Sequence, residues 1–389
     1  MNYHRVFQIL LITVLAMSMA TASLAQIHLI IGGEDEENDG MILRPRQIEE
    51  GPDGNLYVLD AGDSFIKVYS SLGQYLHKLA GPGEGPGEFQ RTDGSSFGFT
   101  TDGNLFFTEF FGGHRWLSIM ELNGDLVQTL SPQVNVSYGV LGAVSLDDGG
   151  FLVHIAYSSE AFPSHSYYLY NMRHSLVHMD SLGAIVTEIV QTKRPSMISY
   201  TPNGGTTNLP YVPTFTWTPW QNDTVVWSEG LNPQLSVFDY NGIIVGKIDT
   251  KLSLPEKVTS DDLKNWRRSR KELMESNNSA WWNQFGKVIE DYDKSLFDKP
   301  ILRNISAAPE DHLLVAGPWN SETSQTTYWL FDSQGAMIST FTANVWGLHI
   351  SAHHLLYFLA DEDESTSVHA VKWSGPVGES LNFFQTTFE

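Results

Sequence analysis

Five times along this 389-residue chain a short apolar stretch enters a turn and leaves it through a glycine: VYSSLGQYL at Val68, IMELNGDLV at Ile119, HMDSLGAIV at His178, VFDYNGIIV at Val237 and LFDSQGAMI at Leu330. In each copy a polar or acidic residue (Ser70, Glu121, Asp180, Asp239, Asp332) stands three positions before the glycine (Gly73, Gly124, Gly183, Gly242, Gly335). A tight turn between antiparallel strands needs a residue with positive φ, which glycine adopts without steric cost. An acidic side chain at the start of the turn accepts hydrogen bonds from the turn's own amides. Each copy therefore predicts a β-hairpin.

A second unit recurs upstream of these hairpins: DGNLYVLD at Asp53, DGNLFFTE at Asp102, DGGFLVHI at Asp148 and, less regularly, NDTVVWSE at Asn222 and EDHLLVAG at Glu310. Its turn is followed by a continuous apolar run, which is the pattern of a strand buried on both faces. One period of roughly 40 to 60 residues thus holds four antiparallel strands, the size of a propeller blade. Five blades are explicit, and His349 to Trp373 supplies a sixth, with HHLLYFLAD and SVHAVKW as its second and third strands. The expected fold is all-β, a six-bladed β-propeller with four-stranded antiparallel blades. Either the strand beginning at Ile27 or the tail ESLNFFQTTFE closes the ring by completing the last blade.

The stretches GPGEGPGEFQRTDGSSFGFTTDGNLFFTE and GPDGNLYVLDAGDSFIKVYSSLGQ resemble NHL repeats and the wider set of TolB-like, six-bladed propellers of secreted bacterial proteins. The first two blades carry the likeness closely. They depart from it where NHL repeats place an arginine before the third strand's apolar residue, because Phe65 precedes Ile66 here.

Residues 1–25 carry His4 and Arg5, then an apolar core, then small residues at Ser23 and Ala25, the layout of a secretory signal peptide cleaved before Gln26. The mature chain, 26–389, is expected as one propeller without a membrane span, periplasmic or extracellular, and monomeric. With no cysteine, neither a disulfide nor a lipoprotein anchor is available. A net charge of −22 repels phosphate backbones and argues against nucleic acid as a partner.

Between blades four and five, about 254–297, strand alternation gives way to helical signals. Ser260 reads as an N-cap with Asp261 and Asp262 in the first turn, and a second helix is expected from Ala280 to Tyr292 with Trp281, Phe285 and Ile289 on one face. This pair is expected to cover one mouth of the ring. A loop insertion in blade three, SSEAFPSHSYYLYNMRHS, brings Tyr167, Tyr168 and Tyr170 near a mouth.

No nucleophile elbow or phosphate loop appears; the run GPGEGPGE lacks the Lys-Ser/Thr of a P-loop and reads as a connector. The adjacent His353 and His354 point to opposite faces if they lie on a strand. Arginines recur just before innermost strands: Arg44 and Arg46 in blade one, Arg91 in blade two, Arg303 in blade five. Equivalent positions converge on one mouth, where such a cluster would bind a carboxylate or another anion; paired with neighbours such as Glu49 or Asp93, the same arginines would be structural. Tyr211 and Trp217, with Tyr200 and Trp220, supply aromatic faces in the proline-rich link into blade four. The preferred function is a module binding a protein, peptide or glycan, with no catalytic residue and no cofactor. The alternative is a gluconolactonase-like hydrolase or lyase, for which the resemblance implies a divalent metal such as calcium and for which Glu49, Asn304 and Asp93 are residues of the right type.

Overall fold

The computed structural model describes residues 28–372 except 33–38, 86, 90–91, 93–94, 109–115, 135–138, 165–166, 200–205, 278, 293–294, 321–322, 352 and 361–365. The signal peptide, Arg91, Asp93, Tyr200 and the tail ESLNFFQTTFE lie outside the described residues.

The recurring turns form as their chemistry dictates. Gly73, Gly124, Gly183, Gly242 and Gly335 all have φ between 75° and 95°. Asp180 Oδ1 accepts the amides of Leu182 and Ala184 (both 2.9 Å), and Asp239 Oδ1 accepts those of Asn241 (3.0 Å) and Ile243 (2.8 Å). The third and fourth strands slip by one residue three positions after the glycine, at Leu76, Val127, Val245 and Ile338, so a bulge follows the turn in blade after blade.

These hairpins assemble six antiparallel sheets into an all-β propeller. Blade 1 runs Pro45–Glu50, Leu56–Asp60, Phe65–Tyr69, Tyr75–Leu79. Blade 2 runs Ser96–Phe99, Leu105–Thr108, Leu117–Met120, Leu126–Leu130. Blade 4 runs Thr216–Trp220, Thr224–Ser228, Gln234–Asp239, Ile244–Asp249, and blade 5 Asn304–Ala308, His312–Asn320, Gln325–Phe331, Met337–Ala343. Blade 6 takes Trp346–Ile350, His354–Ala360 and Thr366–Lys372 from the end of the chain and His28–Ile31 from its start. His28 pairs with Val371 and Ile31 with Val368, so it is the N-terminal strand that completes the last blade.

Blade 3 departs from the four-stranded expectation. Its inner strand is Gly139–Ser145; the next three, Phe151–Ser164, Tyr167–Met179 and Ile185–Ser199, run well past the neighbouring blades, and a short fifth strand, Thr206–Asn208, pairs with the end of the fourth. The segment expected as a loop insertion is therefore a strand extension. Tyr167 and Leu169 are buried while Tyr168 and Tyr170 are less so, the alternation of a half-buried strand. The fifth strand exists because the overhanging edge of Ile185–Ser199 needs partners for its amides and carbonyls.

Apolar clusters fill every gap between neighbouring blades. Tyr57 and Val68 meet Phe97 and Leu105; Phe106 meets Phe151; Leu152 and Leu176 meet Val225 and Phe238; Val226 meets Leu313; Leu314 and Tyr328 meet Leu355; and Leu356 and Phe358 return to Leu56 and Val58. The ring is closed. Each fully buried side chain in these seams contributes about 1.5–3 kcal/mol relative to exposure.

Polar stitches join the innermost strands. Gln47 donates to the Phe97 carbonyl (2.8 Å) and accepts the Phe97 amide (3.1 Å), acting as a strand partner across the gap between blades 1 and 2. Thr216 and Thr218 hydroxyls accept the amides of Ile305 and Ala307 (both 2.9 Å) between blades 4 and 5.

Helices α1 (Ser260–Asn277) and α2 (Ser279–Asp291) follow blade 4. The cap sits one residue earlier than expected: Thr259 Oγ1 accepts the Asp262 amide (3.2 Å) while Asp262 Oδ2 accepts the Thr259 amide (2.8 Å), a reciprocal capping box. The helices pack Trp266, Val288 and Tyr292 against Tyr167, Leu169, Ile198 and Leu209 of the blade 3 extension. The extension and the insertion form one wall.

Candidate functional site

Inside that wall lies a cavity of about 1320 Å³, at the mouth where the inner strands of blades 3, 4 and 5 begin. Leu141, Thr216 and Asn304 mark those three strands. The blade 3 extension gives one side, the link from Thr206 to Phe215 another, and Arg270 of α1 reaches in from the insertion.

Three arginines line it: Arg194, Arg270 and Arg303. Among the described residues no aspartate, glutamate or lysine does. Arg194, on the overhanging part of Ile185–Ser199, is buried and braced from behind, Nη1 against Glu229 Oε1 at 2.5 Å and Nη2 donating to the Pro213 carbonyl at 2.7 Å. Burial pushes its pKa down, and Glu229 opposes that. Its Nε is buried without a hydrogen-bond partner. Arg270 is partly buried, which alone lowers its pKa, and neither its guanidinium nor that of Arg303 has a hydrogen-bond or ion-pair partner among the described residues. Among the described residues, neither cation is compensated by a hydrogen-bond or ion-pair partner.

Beside Arg194, His154 Nε2 and His174 Nδ1 lie 3.0 Å apart, and Phe215 stacks on both rings at 4.4 and 5.6 Å. Burial, with Arg194 adding to it, holds His174 down at about 4; burial, His174 and Arg194 hold His154 well below the ordinary range. The pair is therefore neutral at pH 7 and presents hydrogen-bonding imidazoles rather than charge.

Aromatic faces complete the lining. Tyr211 and Trp217 are both there, each half-buried. Tyr211 holds φ at 56°, a left-handed conformation costing a bulky residue about 1–2 kcal/mol, and its hydroxyl donates to the Asp262 carbonyl at 3.4 Å. That contact ties the link to the first turn of α1.

The structure thus brings Arg303, Tyr211 and Trp217 together, but with Arg194 and Arg270 rather than with Arg44 and Arg46. Arg44 donates Nη2 to the Ala61 carbonyl (3.0 Å), and Arg46 sits exposed on the inner strand of blade 1; neither lines the cavity. Arg194, Arg270, His154 and His174 were absent from the sequence expectation. Arg194 carried no distinguishing signal, because it stands beside Lys193 in the polar run QTKRPS.

Of the residues suited to a metal site, the two described ones, Glu49 and Asn304, each have a protein partner. Glu49 faces His349 at 2.9 Å, Asn304 Oδ1 accepts the Thr216 hydroxyl at 3.3 Å, and Asp93 is outside the described residues. Among the described residues no group of three or more His, Asp or Glu is arranged to hold an ion. His353 precedes its strand and so escapes strand alternation; its Nδ1 meets Glu50 Oε1 at 2.7 Å and His354 Nδ1 meets Oε2 at 3.1 Å. The run GPGEGPGE folds on itself, Glu88 accepting the Gly85 amide (2.8 Å) and Phe89 anchoring its end in the core.

No protein-family description and no curated protein sequence matches the chain. Among solved structures it is similar to a Bacteroides fragilis protein designated as exported (14% identity, 91% of this chain and 97% of that one, TM-score 0.46). It is also similar to virginiamycin B lyase from Staphylococcus aureus (12%, 90% and 99%, 0.45) and to a gluconolactonase from Xanthomonas campestris (9%, 90% and 92%, 0.43).

Proposed function

We propose that this chain is an exported, six-bladed propeller of the NHL or TolB-like kind that binds an anionic ligand, peptide or glycan, in the cavity over blades 3 to 5. The observation that carries the reading is charge segregation: a chain of net charge −22 lines one cavity with three guanidiniums and, among the described residues, no carboxylate. Of the two arginines without a described partner, Arg270 is partly buried and Arg303 exposed; burying an unpaired cation such as Arg270 is costly, and the cost is recovered when an anion supplies charge-assisted hydrogen bonds. Export is supported by the signal-peptide layout of residues 1–25, and no described helix is long and apolar enough to cross a membrane.

Affinity electrophoresis of the mature chain through polygalacturonate, polyglutamate or neutral dextran tests the reading. Retardation by at least one polyanion, none by dextran, and loss of retardation in Arg270→Ala/Arg303→Ala are expected. Equal mobility in all three gels refutes it.

A further inference from the structure

We infer that the ligand is an acidic oligosaccharide, one whose sugar rings carry carboxylates, rather than an acidic peptide; the inference rests on the anion-binding reading of the same cavity. Four features of the lining point to it.

The first is the balance of hydrogen-bonding types. Charged groups in the lining are donors only, because guanidinium has five N–H groups and no lone pair. With no carboxylate among the described lining residues, strong acceptors are scarce. An extended peptide brings one N–H per residue, and each one buried without an acceptor is penalised. An oligosaccharide brings no such obligation: ring and glycosidic oxygens only accept, and its hydroxyls rotate to donate or accept as the site requires.

The second is the neutral polar set that would meet those hydroxyls. Thr206, Thr207, Asn208, Thr214 and Ser196 line the cavity, and each can act as donor and as acceptor. The neutral His154–His174 pair extends the same dual capacity to the wall beside Arg194.

The third is the pair of half-buried aromatic residues, Tyr211 and Trp217, on the link and on the inner strand of blade 4. A sugar ring has an apolar C–H face that rests on an aromatic face, whereas acidic side chains offer none.

The fourth is size and the spread of charge. A volume of about 1320 Å³ exceeds the roughly 300–1,000 Å³ of ordinary small-molecule sites, so the occupant is an oligomer. Arg270 and Arg303 come from separate elements, a helix of the insertion and the start of blade 5, and so address separate carboxylates along one chain.

The test is titration calorimetry of the mature full chain with four probes: trigalacturonate, a hyaluronan tetrasaccharide, the methyl ester of trigalacturonate, and tetraglutamate. At least one acidic oligosaccharide is expected to bind with 1:1 stoichiometry. The neutral ester and the peptide should bind at least tenfold more weakly. Arg270→Gln and Arg303→Gln should each weaken the acidic sugar roughly ten- to hundredfold, the range for one charge-assisted hydrogen bond. Both variants alter exposed or half-buried groups, and circular dichroism verifies their fold. Sugar-induced quenching of tryptophan fluorescence should fall in Trp217→Phe. If tetraglutamate binds as tightly as the sugars, or the ester binds as tightly as the acid, the glycan inference is overturned; the peptide result leaves the anion-binding reading standing. If no acidic probe binds, both fail.

Discussion

Replacing Lys67 with methionine removes the one buried ammonium of blade 1 while keeping its length, and the structure fixes what is left behind. Lys67 Nζ lies 2.8 Å from Asp60 Oδ2 and 3.0 Å from Asp63 Oδ2, donates to the Met41 carbonyl, and is 1% exposed against 0% for Asp60. Asp60 also accepts the amides of Arg44 (2.7 Å), Leu43 (2.8 Å) and Gly62 (2.9 Å), which pin the segment entering the first inner strand. Burial pushes the Asp60 carboxyl up, but Lys67 and these amides outweigh it and hold the group ionised. Breaking a buried pair by removing one partner costs about 3–5 kcal/mol. Because three amides still solvate Asp60, the lower end applies, roughly 3 kcal/mol. At about 2.1 cal/mol/K per residue, a chain of roughly 350 residues has an unfolding entropy near 0.7 kcal/mol/K, so Tm should fall by about 4 °C. Scanning calorimetry of Lys67→Met, Asp60→Asn and the double variant measures it. The double variant should lose clearly less than the two single losses combined, since each single change strands the other's charge. A Tm within 1 °C of the parent, or strict additivity, refutes the argument.

The junction between blades 6 and 1 should respond to pH at both ends of the scale. Burial raises the Glu50 carboxyl, yet hydrogen bonds from His354, Ser351 and His353 hold it at about 2, so its contribution is present above about 4.5 and fades as pH falls toward 2; about 3 kcal/mol is involved. The Tm gap between parent and Glu50→Gln should therefore narrow over that window, and a constant gap contradicts the assignment. His349 titrates in the other direction, because Glu49 outweighs burial and raises its pKa; that contribution is full below 6.5 and is lost as pH rises through the raised value. Glu49→Gln should flatten this alkaline loss in a Tm-against-pH profile. For the closing strand, Ile31→Ala should cost about 2–4 kcal/mol in urea unfolding, and Ile30→Ala, 62% exposed, close to nothing; equal effects would mean the strand is not packed as described. Gly183→Ala should destabilise more than Gly54→Ala, since both have positive φ but a methyl at 183 meets the Ser131 carbonyl oxygen at 2.8 Å while 54 is open; equal Tm losses would contradict this.

The repeating architecture was legible because its determinants are local. A glycine three residues after Asp180 or Asp239 specifies a bulged hairpin without reference to anything distant, and the continuous run LYVLD marks a strand covered on both faces. Blade 3 was misread for a related reason: Pro163 and the polar residues around it resemble a loop, yet Pro163 pairs with Tyr168 in an extended hairpin that the helices stabilise. The arginine convergence was half legible. Blade equivalence placed Arg303 at the mouth, but which other cations meet it depends on the overhang that carries Arg194 and the insertion that carries Arg270. Those elements have no counterpart in other blades, so no periodicity predicts them.

The excess of acid and the basic cavity belong together. Many of the carboxylates have structural work at the turns, as Asp180, Asp239 and Asp332 do by accepting hairpin amides, and they leave the exterior negative as a by-product. That field acts on any approaching polyanion, but salt damps it within a Debye length of about 8 Å. Contacts inside the cavity are shorter than that: a carboxylate about 4 Å from a guanidinium gains about 4 kcal/mol at an effective dielectric constant of about 20. Long-range repulsion and short-range attraction then select by shape. On the proposed reading, a stiff duplex with regularly spaced phosphates meets mainly the repulsive exterior, whereas a chain narrow enough to enter between the blade 3 overhang and α1 reaches the buried Arg194 and the half-buried Arg270, where water and salt screen least, and the exposed Arg303 beside them. The proposed selectivity rests on where three cations are placed, two of them on the elements that interrupt the repeat.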